Sequence, residues 1–157
     1  MNSAVVKEVR SVLIPLGDRQ LLLPNAVVAE VMGFQVPDPV KGSPEWFLGN
    51  LAWRGVMIPV ISFEAMTGSE ALTPGHRGRI AILNAIGDQP RLSHYGLVVQ
   101  AIPSLMRVSS DNVIPVLREE VADNPLIRQS VDLDMSPAFI PDLDEIERQL
   151  GLVLEQF

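Results

Sequence analysis

The run GNLAWRGVMIPVISFEAMTG, from Gly49 to Gly68, carries most of the information about the fold. Its middle, Val56 to Phe63, is almost wholly apolar and rich in Val and Ile. A short continuous run of that kind, entered by a turn, reads as a strand buried on both faces. Trp53-Arg54-Gly55 immediately before it puts an aromatic ring, a permanent cation and a permissive glycine at one tight corner. Glu64-Ala65-Met66-Thr67 after it makes about one helical turn ending at Gly68. A charge that cannot be lost, at a turn feeding a core strand, is well placed to present a binding residue rigidly. A solvated turn arginine is the plainer reading, and the residues alone leave both open.

Outward from that stretch the chain reads as strand, turn, strand. Val9 to Leu16 is strand-like, Gly17-Asp18 is turn chemistry, and Gln20 to Leu23 resumes, which makes a β-hairpin. Pro24-Asn25 interrupts, and Val27 to Phe34 continues with β-branched residues. Gln35 to Glu45 holds three prolines and reads as loop; Pro44 then suits the start of a single helical turn through Glu45-Trp46-Phe47. Ser69 to Gly78, with Thr73-Pro74-Gly75 inside it, is the candidate boundary between halves of 1–72 and 73–157, with exchange of terminal strands as a variant.

The second half repeats the theme with a strand over Arg79–Ile86, a turn at Gly87-Asp88 and a strand over Tyr95–Ile102. VVAEVM and MIPVISFEAMTG in the first half face VVQAIPSLM and FIPDLDEIERQLG in the second. Both closing segments set Ile-Pro before a short helix that ends in glycine. Pro59 and Pro141 cannot donate to a ladder, so each is expected at a strand edge or end. A duplicated small β-barrel accounts for this pattern; chance likeness among Val/Ile-rich strands is the alternative. In Pro141–Leu150, Asp142 suits an N-cap and Glu145 a capping box, and Leu143, Ile146 and Leu150 share a face.

With 157 residues, 47% of them hydrophobic and 20% charged, the chain has the composition of a folded globular protein. The absence of cysteine removes disulfides, thiolate catalysis and zinc–sulfur sites. No apolar run is long enough to span a bilayer, and MNSAVVKEVR carries charges where a leader needs its apolar region, so a cytoplasmic protein is expected. Residues 1–118 hold ten Lys/Arg and nine Asp/Glu, whereas 119–157 hold two and ten, a net of −8. Without a basic patch there is no footprint for nucleic acid or for direct docking on anionic lipid.

Catalytic chemistry is scarce. His76 and His94 lie in or beside loops without a second ligand at metal spacing. The serines lack a nucleophile elbow, and the glycines form no phosphate-cradling loop. Asp132, Asp134, Asp142 and Asp144 are the one set resembling an acid–base or cation site, and they read more simply as turns and a helix start. No catalytic, cofactor-binding or metal-ligating residue is therefore assigned. A small-molecule-binding β-barrel, or a cation-assisted hydrolase using Asp132 and Asp134, are the alternative functions.

At this point the residues resemble a known family. Gly49, Arg54 and Gly55, followed by Met57-Ile58-Pro59-Val60-Ile61, match the Gly-x-x-Asn-Leu-Arg-Gly and Pro-Val motif of CheW-like proteins. Gly96-Leu97-Val98-Val99 is similar to the family's second-half strand, and the likeness runs over residues 7–151. Ala52 and Trp53 stand where the family usually has Asn and Leu, and Ser62 and Gln100 stand for two aspartates. Trp-Arg-Gly at this corner is similar to divergent members, including those of chemosensory systems that control type IV pili. The resemblance implies an all-β fold of two small five-stranded SH3-like barrels around a shared core, with short helices including a C-terminal one. It implies a non-catalytic adaptor between the cytoplasmic tip of methyl-accepting chemoreceptors and the regulatory domain of a CheA-type histidine kinase, recruited to membrane-anchored arrays. It further implies that Arg54, Glu30, Val28, Gly49, Gly55 and Trp53 form the protein-binding surface. Core packing for Val28 and a solvated strand position for Glu30 are what those residues would suggest by themselves.

Overall fold

The computed structural model describes residues 8–157, so most of the charged N-terminal stretch lies outside the described residues. The elements are β1 (Val9–Pro15), β2 (Gln20–Pro24), β3 (Val28–Gly33), β4 (Phe47–Trp53), β5 (Val56–Ile61), α1 (Phe63–Met66), β6 (Arg79–Asn84), β7 (His94–Val99), β8 (Ser104–Val108), β9 (Val113–Val116), β10 (Ile127–Leu133), β11 (Ser136–Pro141) and α2 (Leu143–Gln156). They form two sheets of order β8-β1-β2-β11-β10-β9 and β3-β6-β7-β5-β4. The fold is the all-β pair of SH3-like barrels with a C-terminal helix; β9 makes the first sheet six-stranded, where the resemblance implied five.

Neither sheet is one half of the sequence. Hairpin β1–β2 joins the strands that follow residue 100, and hairpin β6–β7 joins the strands that precede residue 62. Apart from β9 the two sheets share one plan, with β8, β1, β2, β11 and β10 taking the places of β3, β6, β7, β5 and β4. In each, the hairpin's second strand runs parallel to the strand before a capped helix: β2 beside β11, and β7 beside β5. The sequence halves have thus traded their leading hairpins.

Several local expectations change. Val56 and Met57 are exposed and only Ile58–Ile61 is buried, because β5 leaves an outward-projecting hairpin before it reaches the interior. Pro59 sits inside β5 rather than at an edge or end; the ladder with β7 begins at Val60, so the missing N–H forfeits nothing on that side. Pro44–Phe47 is a hydrogen-bonded turn, not a helical one, and Phe47 already starts β4. α2 runs through Gly151 to Gln156, and Gly151 serves close packing instead of termination, since a Cβ there would lie 2.3 Å from Gln89 Oε1. Asp142 does cap α2, accepting from Glu145 N at 3.0 Å, but the Glu145 carboxylate turns to Arg148 instead of closing a capping box.

The shared core contains Val12, Ile14, Leu21 and Leu23 of one sheet, Leu83, Tyr95, Leu97 and Val99 of the other, and Ile146, Leu150 and Val153 of α2. Two buried glutamates clasp the bodies across it. On α1, buried Glu64 lies beside the Gly17 backbone of the β1–β2 turn and accepts from Gln100 Nε2 at 3.5 Å, and burial holds its carboxyl above the usual range. On α2, Glu147 is 1% exposed and accepts from Gly87 N at 2.8 Å, Ile86 N at 3.0 Å and the Tyr95 hydroxyl at 3.3 Å. Burial, and then the Glu147 charge, push the Tyr95 hydroxyl well above its ordinary value, so it keeps its proton and donates.

Candidate functional site

The five-stranded sheet encloses a small core of its own: Leu51, Ile58, Val60, Ile80, Ile82 and Val98, with Met32, Phe34, Leu48 and Trp53 against it. Side chains alternate across a strand. The face that carries this core therefore continues to Glu30 on β3, Trp53 on β4, Asn84 on β6 and His94 on β7. These four residues ring one mouth of the barrel.

Arg54 and Gly55 form the two-residue loop of the β4–β5 hairpin, flanked by the pair Trp53 and Val56. Their φ angles are +48° and +80°, the signs of a type I′ turn, whose twist matches that of the strands. Gly55 adopts this conformation freely. Arg54 does so at a cost of about 1–2 kcal/mol. The turn aims the Arg54 guanidinium back over the Trp53 ring, 5.0 Å from its centroid, and Nη2 donates to Glu30 Oε1 at 2.7 Å. β3 and β4 are opposite edges of the sheet, so this ion pair closes the rolled-up barrel. On its other contacts the Trp53 ring meets His94, with centroids 4.8 Å apart and planes inclined at 47°. Trp53 Nε1 is buried and has no hydrogen-bond partner among the described residues.

Energetics indicate what this corner is for. The side chains of Arg54 and Glu30 are 68% and 36% exposed, and pairs that open to solvent contribute about 0.2–1 kcal/mol. The turn strain offsets what the pair and the stacking on Trp53 contribute. The corner adds little to stability; it holds one arginine in one orientation at the surface.

The other expected residues separate. Gly49, at φ +136°, is needed by the chain itself: a Cβ there would lie 2.1 Å from Asp38 O, because Asp38 and Asn50 exchange backbone hydrogen bonds at 2.9 Å. Val28 packs against the shared core, away from the Arg54 mouth. A register shift between Val28 and Glu30 lets these neighbours on β3 face different cores. The acidic residues do not converge. Asp132 pairs with Arg118, Asp134 sits at the β10–β11 turn, Asp142 caps α2 and Asp144 lies in its first turn. Among the described residues no group of three or more His, Cys, Asp or Glu could hold a metal ion, and no helix is long and apolar enough to cross a membrane.

The CheW-like domain family model matches residues 10–150. The chain belongs to the CheW-like family. It is 27% identical over 100 residues to the chemotaxis protein CheW of Rhizobium meliloti, a match covering 64% of this chain and 61% of the relative. A probable chemotaxis protein CheW of Rhizobium etli is 26% identical over the same coverage. These matches span less than two thirds of either relative's length. The scaffolding protein TtCheW from Thermoanaerobacter tengcongensis shares the fold, with a TM-score of 0.73 at 20% identity over 91% of this chain and 90% of that one.

Within this CheW-like frame, sequence reasoning missed His94 and the two clasping glutamates. His94 reads as a loop residue until β7 is seen to begin at it. Glu147 did leave a signal: it lies between Leu143, Ile146 and Leu150 on the buried stripe of α2, where an acid needs a partner.

Proposed function

We propose that this CheW-like chain is a non-catalytic adaptor joining chemoreceptor tips to the regulatory domain of a CheA-type histidine kinase in a bacterial chemosensory array. The observation that carries this reading is the strained, ion-paired presentation of Arg54 over Trp53 at a barrel mouth whose interior is filled by its own side chains. A filled barrel favours a docking module over a metabolite binder, and an arginine held by stacking and pairing loses little freedom when a partner engages it. Arg54, Gly55, Trp53 and Glu30 form the docking corner; Gly49 and Val28 support it from the fold. Of the ten acidic residues in 119–157, Glu147 is buried and most of the others face solvent.

One adaptor touching receptor and kinase raises the effective concentration of each for the other. Biasing the kinase between two states then requires only that the adaptor favour one arrangement. The chain works in the cytoplasm and reaches the membrane through its receptors.

The test is saturable binding of the purified protein to the regulatory domain of each CheA encoded in the same genome, and to receptor-tip fragments, with Arg54→Ala and Glu30→Ala beside the wild type. Loss of binding on Arg54→Ala, with an unchanged fold, is expected. Wild-type failure to bind any such kinase or receptor would remove the adaptor role. The kinase that binds, from a flagellar or a pilus system, identifies the pathway.

A further inference from the structure

We infer that His94 is a positioning residue of the Arg54 corner: it sets the Trp53 ring on which the guanidinium lies, and its protonation loosens that arrangement. Among the described residues the Trp53 N–H has no partner, so no hydrogen bond from them fixes the ring. Its orientation rests on packing, and the packing has two parts. One is the apolar barrel core; the other is the imidazole 4.8 Å away. Arg54 touches the same ring at 5.0 Å and continues to Glu30 at 2.7 Å. The order of contacts is His94, Trp53, Arg54, Glu30.

The charge environment of His94 is simple. β5 and β4 contain no titratable residue. β6 has only Arg79, at its far end opposite Val99, while neutral Asn84 lies opposite His94. Tyr95, next on β7, is on the other face and donates to Glu147. Arg91, in the preceding loop, donates to the Leu154 carbonyl, and Ser93 Oγ lies 3.2 Å from His94 Nδ1. Among the described residues, Arg54 and Glu30 are the charged side chains seen in contact with this stack. Imidazole is the side chain whose charge ordinarily changes between about pH 5 and 8. An imidazolium would set a second cation against the ring that holds Arg54, repelling the guanidinium and competing for Glu30.

The experiment follows the Trp53 indole N–H and the Arg54 Nε–H by NMR during a pH titration of the free full-length protein. Trp46 serves as internal reference, and His94→Phe and His94→Ala are compared with wild type. In wild type both resonances are expected to move with the midpoint of the His94 ring protons. His94→Phe keeps a ring and removes the charge, so it should preserve the high-pH positions and abolish the step. His94→Ala should displace both resonances at every pH, while Trp46 stays in place. Resonances that ignore the His94 midpoint, or that do not move in His94→Ala, would overturn the inference.

Because the docking role of Arg54 rests on the function proposed above, partner binding is read separately. Affinity is expected to fall about two- to fivefold as His94 becomes protonated, and to be flat with pH in His94→Phe. Coupled resonances with pH-independent binding would leave the positioning intact and count against Arg54 as the docking residue. Binding that is lost in Arg54→Ala but unaffected in His94→Ala would keep the adaptor and reject the positioning.

Discussion

The β4–β5 and β10–β11 hairpins occupy equivalent places in two sheets built on one plan, yet their tips differ. Both are two-residue loops with both φ angles positive: Arg54-Gly55 in one, Asp134-Met135 in the other. At the first tip glycine takes the second position, and the cation is drawn back onto Trp53 and Glu30. At the second, Met135 holds φ +69° and is 95% exposed, and the nearby charge pair joins Asp132 of β10 to Arg118 just after β9. The strands beneath both tips, the capped helix after each hairpin and the buried glutamate on each helix are shared. The two sheets share the frame, and their tips differ where packing does not constrain them.

The comparison can be broken most severely at the clasps. Glu147→Ala takes the acceptor from the Ile86 and Gly87 N–H groups and leaves the buried Tyr95 hydroxyl unpaired, so a loss of about 2–3 kcal/mol is expected by chemical denaturation. Glu64→Ala removes a less richly bonded carboxylate and should lose clearly less; equal losses would show that the two clasps are not graded by their hydrogen bonds.

The tips come next. Met135→Gly relieves an exposed left-handed residue and should stabilise the protein by about 1 kcal/mol, whereas Gly55→Ala imposes that strain and should cost about 1 kcal/mol. Thermal denaturation of the two variants should therefore move in opposite directions.

Glu64 gives a pH-dependent contrast. Burial raises its carboxyl in the folded state, so the folded protein holds that proton more tightly than the unfolded chain. Its favourable contribution is complete below the ordinary carboxylate value of about 4.3 and is lost as pH rises through the raised one. Glu64→Gln keeps an acceptor without the titration. Its stability relative to wild type should improve as pH rises above the ordinary carboxylate value, and a constant difference would contradict the assigned burial effect.

The smallest effect on folding is expected at the functional corner. Arg54→Ala removes an exposed pair and a stacked cation, so stability should change by no more than about 1 kcal/mol while partner binding is lost. A large fall in stability would turn Arg54 from a docking residue into a structural one.

Much of this was legible from local chemistry. Gly17-Asp18 and Gly87-Asp88 announced two hairpins, and Trp53-Arg54-Gly55 announced a turn into β5 without revealing β4 before it. Asp142 caps α2 through Glu145 N, as its place before the apolar stripe implied; that Ser62 caps α1 through Ala65 N emerges only in the structure. β8, β9 and β10 were harder to read: β8 follows Pro103, β9 contains Pro115, and β10 carries Arg128-Gln129 within it, so none shows a clean alternation. The Arg54 corner was visible only in part. Its turn follows from residues adjacent in the chain, but Glu30 and His94 come from strands 24 and 40 positions away and reach it only once the sheet has rolled up.

The sequence by itself determined the class of fold, the positions of the turns and caps, and the internal repeat, because each depends on the conformational preferences of a few neighbouring residues. Tertiary structure alone decided which hairpin joins which sheet, and which groups Glu64 and Glu147 satisfy. It also decided which aromatic and which carboxylate hold Arg54. Those choices rest on burial and on hydrogen-bond partners contributed by distant segments, and a pattern of neighbours carries no record of them.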